Sequence, residues 1–193
     1  ERCAQRNHDS VDARSAAAMS QLGVDVISEV NRRAASRQLD DARLRVGQAN
    51  ADRIGVTMGV CNGTAETAHM DSVFGSDTFT GQVNCFSNIV PNSTAGWVSS
   101  SLQLRGVNCT LAAGPHAGLQ SLAYAYEALA EGRAQAIVAA ASDEIYPQTF
   151  YNYDIMGLLC QGAEEEDFRI RPEEGKRKVL GEGAGALVLE TAT

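Results

Sequence analysis

The stretch Ala134–Ser142, AQAIVAAAS, constrains this chain more than any other. It is almost wholly apolar and does not alternate. A strand with one wet face alternates apolar and polar side chains, so an unbroken run reads as a central strand covered on both faces. Covering both faces takes helices above and below the sheet, which is an α/β arrangement. The alanines add a second constraint: the neighbouring helices have to approach closely.

The rest of the chain agrees. Arg53–Val60, RIGVTMGV, reads as another short buried strand. Val107–Leu111 reads as a third, and Leu180–Thr191, LGEGAGALVLET, as a Gly-rich lead into a fourth. Helical patterns lie between them. Ser10 or Asp12 can cap a helix reaching about Ala35, with Met19, Leu22, Val26, Ile27 and Val30 on one apolar face. Asn31–Gln48 reads as a solvated helix end and connector, its arginines interrupted by Asp40 and Asp41. Cys61–Thr64 turns into a short helix over Ala65–Met70, and Asp71–Asn84 reads as a loop. Pro91–Thr94 opens a helix to about Leu104, and Pro147–Leu159 supports another. After Val107–Leu111 the chain meets a small-residue elbow, Ala112–Pro115, and enters a long Ala-rich helix ended by Gly132. Leu119, Leu122, Tyr126 and Leu129 recur on that helix as an apolar stripe, and alanine fills most of the remainder, so it reads as buried. Strands alternating with helices imply a mixed or largely parallel buried sheet.

Composition limits function more than fold. The formal net charge of −8 does not suit nucleic acid or an anionic membrane surface. The five cysteines (Cys3, Cys61, Cys85, Cys109 and Cys160) are odd in number and scattered, which is neither a disulfide framework nor a zinc pattern. Reduced thiols in a cytoplasmic protein are the expectation. No apolar run is long enough to span a bilayer. The three N-x-[ST] triplets, beginning at Asn62, Asn92 and Asn108, are then chance matches.

Several stretches invite chemistry. Gly181-Glu182-Gly183-Ala184-Gly185 resembles a nucleotide loop, but phosphate binding needs glycines between a strand and a helix, and these precede a strand. A tight turn with close backbone packing is the expectation. His8, His69 and His116 share no ligand spacing, so no metal site is expected. His116 opens the Ala-rich helix and reads as a helix-start histidine bonded to backbone, in preference to a functional role. Glu164–Asp167 places four carboxylates among Arg and Lys and reads as a solvated loop. Cys109 sits in a strand and Cys160 at a helix end, where the dipole disfavours a thiolate, so both read as inert.

A family resemblance runs over nearly the whole chain. Val11-Asp12-Ala13, Arg53-Ile54-Gly55-Val56 with Gly59 and Gly63, Val90-Pro91-Asn92 with Ala95-Gly96, Leu104–Asn108, Gly132–Glu144 and Leu180–Glu190 occur in this order and spacing. They resemble motifs of the β-ketoacyl synthases, which form carbon–carbon bonds in fatty-acid and polyketide assembly. The resemblance implies a thiolase-like layered α/β/α fold with a mixed sheet. Residues 1–193 would be a single partial domain, lacking the family's first strand and its C-terminal half with the catalytic histidine motifs, either as an interior piece of a protein about twice as long or as a protein trimmed to part of its N-terminal half.

The resemblance also assigns sites. Counting back from Gly132 places Pro115, flanked by Gly114 and His116, where the family carries its nucleophilic cysteine. A ketosynthase needs a thiolate there and uses that residue's backbone N–H in the oxyanion hole. Proline has neither, though it suits the first position of a helix. Cysteine-free members exist, the chain-length factors, which pair with an active ketosynthase and shape its acyl tunnel. Their elbow carries Gln before A-G-G-L; here the residues are His116-Ala117-Gly118-Leu119, and the Gln is absent. By resemblance, Cys61, Asn62, Phe150 and Met156 would border the acyl pocket. Val107, Asn108, Cys109, Thr110 and Leu111 would pair across a dimer axis. No cofactor is implied. Substrates would arrive on the phosphopantetheine of an acyl carrier protein, and the partner would be an active ketosynthase or a second copy. The expected function is a non-catalytic chain-length-factor-like subunit or domain acting with an active ketosynthase in fatty-acid or polyketide assembly. The alternatives are an active β-ketoacyl synthase seen in part, and a structural or degenerate remnant.

Overall fold

The computed structural model describes residues 26–61, 90–145, 147–159 and 180–191. Along the chain these form helix α1 (Val26–Asp41), a 3-10 turn (Ala51–Arg53), strand β1 (Ile54–Val60), helix α2 (Ser93–Leu102) and strand β2 (Asn108–Ala112). A second 3-10 turn (Gly114–His116), helix α3 (Ala117–Ala130), strand β3 (Ala136–Asp143), helix α4 (Pro147–Ile155) and strand β4 (Gly183–Glu190) follow. The sheet order is β2-β1-β3-β4. The first three strands are parallel and β4 runs antiparallel to β3.

The two faces of the sheet are built differently, and β1 shows why. All seven of its residues are buried. Side chains alternate along a strand, so Ile54, Val56, Met58 and Val60 point to one face. There they join Ala35 and Leu39 of α1, Ala95 and Val98 of α2, and Ala136, Val138 and Ala140 of β3. Gly55, Thr57 and Gly59 are left for the other face. On that face Ile137 and Ala139 of β3 pack against Ala125, Ala128 and Leu129 of α3. One side of the sheet is thick with branched and long side chains; the other is thin, and α3 lies close. The result is three layers, α1 and α2, sheet, then α3.

Several boundaries differ from the sequence reading. Strand β1 begins at Ile54, because Arg53 closes the 3-10 turn. Helix α2 runs from Ser93 to Leu102 and stops at Gln103, which takes a left-handed conformation with φ 58. Strand β2 is shifted one residue, leaving Val107 before it; the Val107 carbonyl still accepts a hydrogen bond from Val56 N–H at 2.7 Å. Helix α4 ends at Ile155, followed by Gly157 at φ 66.

Three expectations are corrected outright. Helix α1 continues to Asp41, and Asn31, Ala35 and Leu39 are buried at i, i+4, i+8. Asn31 hid that stripe, since its amide reads as polar while its Nδ2 donates to Ser142 Oγ on β3 at 2.7 Å. The stripe on α3 is also different. Leu119 and Tyr126 are 71% and 67% exposed, whereas Ala117, Ser121, Ala125, Ala128 and Leu129 are buried. Beside Gly55 and Gly59 the sheet selects small side chains, so α3 turns Ala117, Ala125 and Ala128 inward; of the expected stripe, Leu129 is buried and Leu122 packs at the margin, while Leu119 and Tyr126 face outward. Finally, Gly183 and Gly185 lie inside β4, opposite Asp143 and Ala141, and not in a turn. Among the described residues nothing lies within 4 Å of a Cβ built at Gly181, Gly183 or Gly185.

Candidate functional site

In a parallel α/β sheet, sites form beyond the carboxyl ends of strands, where successive connections diverge to opposite faces. Here the β1–β2 connection carries α2 on the thick face and the β2–β3 connection carries α3 on the thin one. The connections diverge around β1. Val60 and Cys61, Ala112–His116, and Ser142–Asp143 therefore converge on one edge of the molecule.

The elbow is the most defined part of that edge. Ala113 leaves β2, and Gly114 takes φ 61, a conformation that costs an L-residue about 1–2 kcal/mol. Pro115 sits at the start of the 3-10 turn, where a missing N–H is tolerated. The Ala117 N–H bonds the Gly114 carbonyl, and α3 begins. Pro115 and His116 are exposed. No side-chain hydrogen bond caps the helix from His116, so it is not the backbone-bonded helix-start residue expected from sequence.

Two contacts fasten the elbow to β1. A Cβ built on Gly59 would lie 2.4 Å from the Ala117 carbonyl oxygen and 2.7 Å from the Gly118 nitrogen, so strand and helix backbones touch. Two residues earlier, Thr57 Oγ1 donates to the Ser121 carbonyl at 3.1 Å. Ser121 Oγ lies 3.0 Å from Thr57 Oγ1 and 3.1 Å from the Ala140 carbonyl, either of which can accept its single proton. Neither Thr57 nor Ser121 was singled out by sequence reasoning. The available signal was a hydroxyl interrupting each of two otherwise apolar patterns.

The remaining expected site residues are distributed as follows. Cys61 is half-buried at the end of β1 and Cys109 is half-buried within β2. Phe150 and Met156, on α4 and just after it, are 54% and 58% exposed, with Tyr151 and Ile155 also exposed beside them. Asn108, Cys109, Thr110 and Leu111 lie on β2, an edge strand of the described sheet. The Asn108 amide folds back to donate to Ser99 Oγ on α2 at 2.9 Å. Asn62, His8, His69, Cys160, the Glu164–Asp167 run, the Ser10 or Asp12 helix start, the Ala65–Met70 helix and the Asp71–Asn84 loop lie outside the described residues. Among the described residues no three His, Cys, Asp or Glu side chains gather to hold a metal. No helix of the described residues is long and apolar enough to cross a membrane.

Among the described residues the most strongly shifted carboxyl lies away from the elbow, on α1. The Arg32 guanidinium bonds both oxygens of Glu29 and Arg33 adds a third bond, holding that carboxyl at a pKa of about 2 although partial burial opposes the shift. Arg32 is raised in return by Glu29. This is a structural cluster and not part of the elbow.

The elbow edge thus offers a backbone turn at which Pro115 presents no thiol and no N–H. The β-ketoacyl synthase N-terminal domain model matches residues 3–193. The 3-oxoacyl-[acyl-carrier-protein] synthase 2 of Vibrio cholerae is 30% identical over 173 residues, covering 86% of this chain and 42% of the relative. The tetracenomycin polyketide synthase ketoacyl synthase alpha subunit of Streptomyces glaucescens is 28% identical over 167 residues, 81% of this chain and 39% of its own length. A crystal structure of a β-ketoacyl synthase from Burkholderia phymatum superposes with a TM-score of 0.77 at 28% identity, over 86% of this chain and 42% of that one. The chain therefore spans about two fifths of the length of these relatives.

Proposed function

The chain belongs to the β-ketoacyl synthase family and has its thiolase-like α/β fold, and on that premise we propose that it serves fatty-acid or polyketide assembly as a non-catalytic, chain-length-factor-like subunit or domain. The observation that carries the proposal is Pro115. Acyl transfer in this family starts from a thiolate at the head of the elbow helix, with a backbone N–H of the same residue stabilising the tetrahedral oxyanion. Pro115 supplies neither group, while the turn that presents it is kept, with Gly114 in a left-handed conformation and α3 packed against Gly59. An elbow retained without its chemistry serves shape.

In this role the elbow, Cys61, Asn62 and the Phe150–Met156 segment line an acyl pocket. Strand β2 faces a partner, either an active ketosynthase or a second copy. Growing chains are presented on the phosphopantetheine of an acyl carrier protein. The test is acyl labelling of the complete protein, co-purified with a cysteine-bearing ketosynthase, using a thiol-directed acyl thioester analogue. Peptide mass spectrometry should recover the label on the partner and none on this chain. A stoichiometric acyl adduct on Cys61 or Cys109 overturns the proposal and returns the chain to the active condensing enzymes.

A further inference from the structure

We infer that Thr57 and Ser121 are positioning residues, whose hydrogen bonds hold the elbow Gly114–His116 at a fixed height over the carboxyl end of β1. The consequence for acyl-pocket shape rests on the chain-length-factor-like reading; the positioning itself does not.

The argument starts from where α3 is anchored. Helix α3 contributes Ala125, Ala128 and Leu129 to the apolar cluster it forms with the sheet, and Leu122 is partly buried at the margin. The three buried ones belong to the later turns. At the elbow end α3 buries only Ala117 and Ser121, beside Gly118. Little apolar area is available there to hold the helix down. Gly59 sets a lower limit on approach, because its backbone already meets that of Ala117. A steric stop prevents closer approach and does not prevent lifting. The attraction comes from Thr57 and Ser121, both buried, through bonds of 3.1 Å and 3.0 Å. The alternative contact of Ser121 Oγ to the Ala140 carbonyl ties the same turn to β3. Burying hydroxyls is unfavourable unless they are bonded, and a valine–alanine pair would fill similar volume without that requirement. Paired hydroxyls instead fix one height and one register of helix on strand.

The variants are Thr57→Val, nearly isosteric but without the hydroxyl, Thr57→Ser, which restores it, and Ser121→Ala. They are made in the complete protein with the partner it purifies with. Amide hydrogen exchange is followed at Ser121–Tyr124 and, as an internal reference, at Ala128–Ala130. Thr57→Val and Ser121→Ala should speed exchange at the elbow end about tenfold, the size expected for one buried hydrogen bond, and leave the reference amides unchanged. Thr57→Ser should restore the original rates. Equal rates in all variants, an equal change at both ends of α3, or a Thr57→Ser protein that exchanges like Thr57→Val overturns the positioning role. The second readout is the length distribution of acyl products, which should broaden in Thr57→Val and narrow again in Thr57→Ser. A changed elbow with an unchanged product distribution overturns the pocket reading and supports the positioning.

Discussion

Replacing Gly59 with alanine tests the close approach of strand and helix directly. The new Cβ would stand 2.4 Å from the Ala117 oxygen, 2.5 Å from its carbonyl carbon and 2.7 Å from Gly118 N. All three are backbone atoms, so no side chain can rotate away. Ordinary contact requires the start of α3 to retreat by about 1 Å, which breaks the spacing that Thr57 and Ser121 bridge. Overpacking of this kind costs about 1–3 kcal/mol, and loss of the bridging bonds adds about 1 kcal/mol. A total near 3 kcal/mol corresponds to a Tm lower by roughly 6–12 °C for a domain of this size. The matched control is Gly96→Ala on α2, where nothing lies within 4 Å of the new Cβ. That change should stabilise the protein by about 0.5–1 kcal/mol, because glycine disfavours a helix interior. Differential scanning calorimetry of both variants reads the two signs. A Gly59→Ala protein that melts with the wild type, beside a Gly96→Ala protein that melts lower, refutes the packing argument.

Met58→Ala should cost about 2–5 kcal/mol by opening a cavity on the thick face, where Met58 is fully buried, and denaturant unfolding measures it. Gly114→Ala meets no steric obstacle but must hold φ 61, so it should cost about 1–2 kcal/mol, with Gly114→Asn milder, in the same assay. The Glu29 carboxyl is lowered from 4.5 to about 2 in the folded protein, so its stabilising effect is complete above the unfolded value and is lost as pH falls from about 5 toward 2. The stability gap between wild type and Glu29→Gln, about 2 kcal/mol near neutral pH, should therefore close across that acid range; a gap independent of pH refutes the ion pair's role.

The strands were legible because burial on both faces leaves a run with no alternation, and RIGVTMGV and AIVAAAS carry that signal plainly. The faces of the helices were less so. On α3 the expected stripe was half right: Leu129 packs on Ile137 and Ala139, but Leu119 and Tyr126 face outward, because β1 presents Gly55, Thr57 and Gly59 and takes small partners there. That choice depends on which parity of β1 faces which helix, a tertiary fact no local pattern contains. Asn31 and Ser142 were unreadable for a related reason, since each looks polar alone and becomes core only through the other. At the elbow the situation reverses: Gly114-Pro115 specifies its own turn, with Gly114 left-handed and Pro115 at the head of the 3-10 turn. Exposure of Phe150 and Met156 could not be read from sequence, because α4 packs little against the other described elements.

The division of β1 into a branched side and a glycine side makes tolerance to substitution a matter of odd and even numbers. At Ile54, Val56, Met58 and Val60 the neighbours are side chains, which can repack around a swap of equal volume. At Gly55 and Gly59 the neighbours are main-chain atoms of Val107 and Ala117, which cannot. A library spread evenly along this strand would therefore sort by parity. Any redesign of the elbow has its freedom on the even side, acting through the thickness of the sheet, because the odd side has no room left to give.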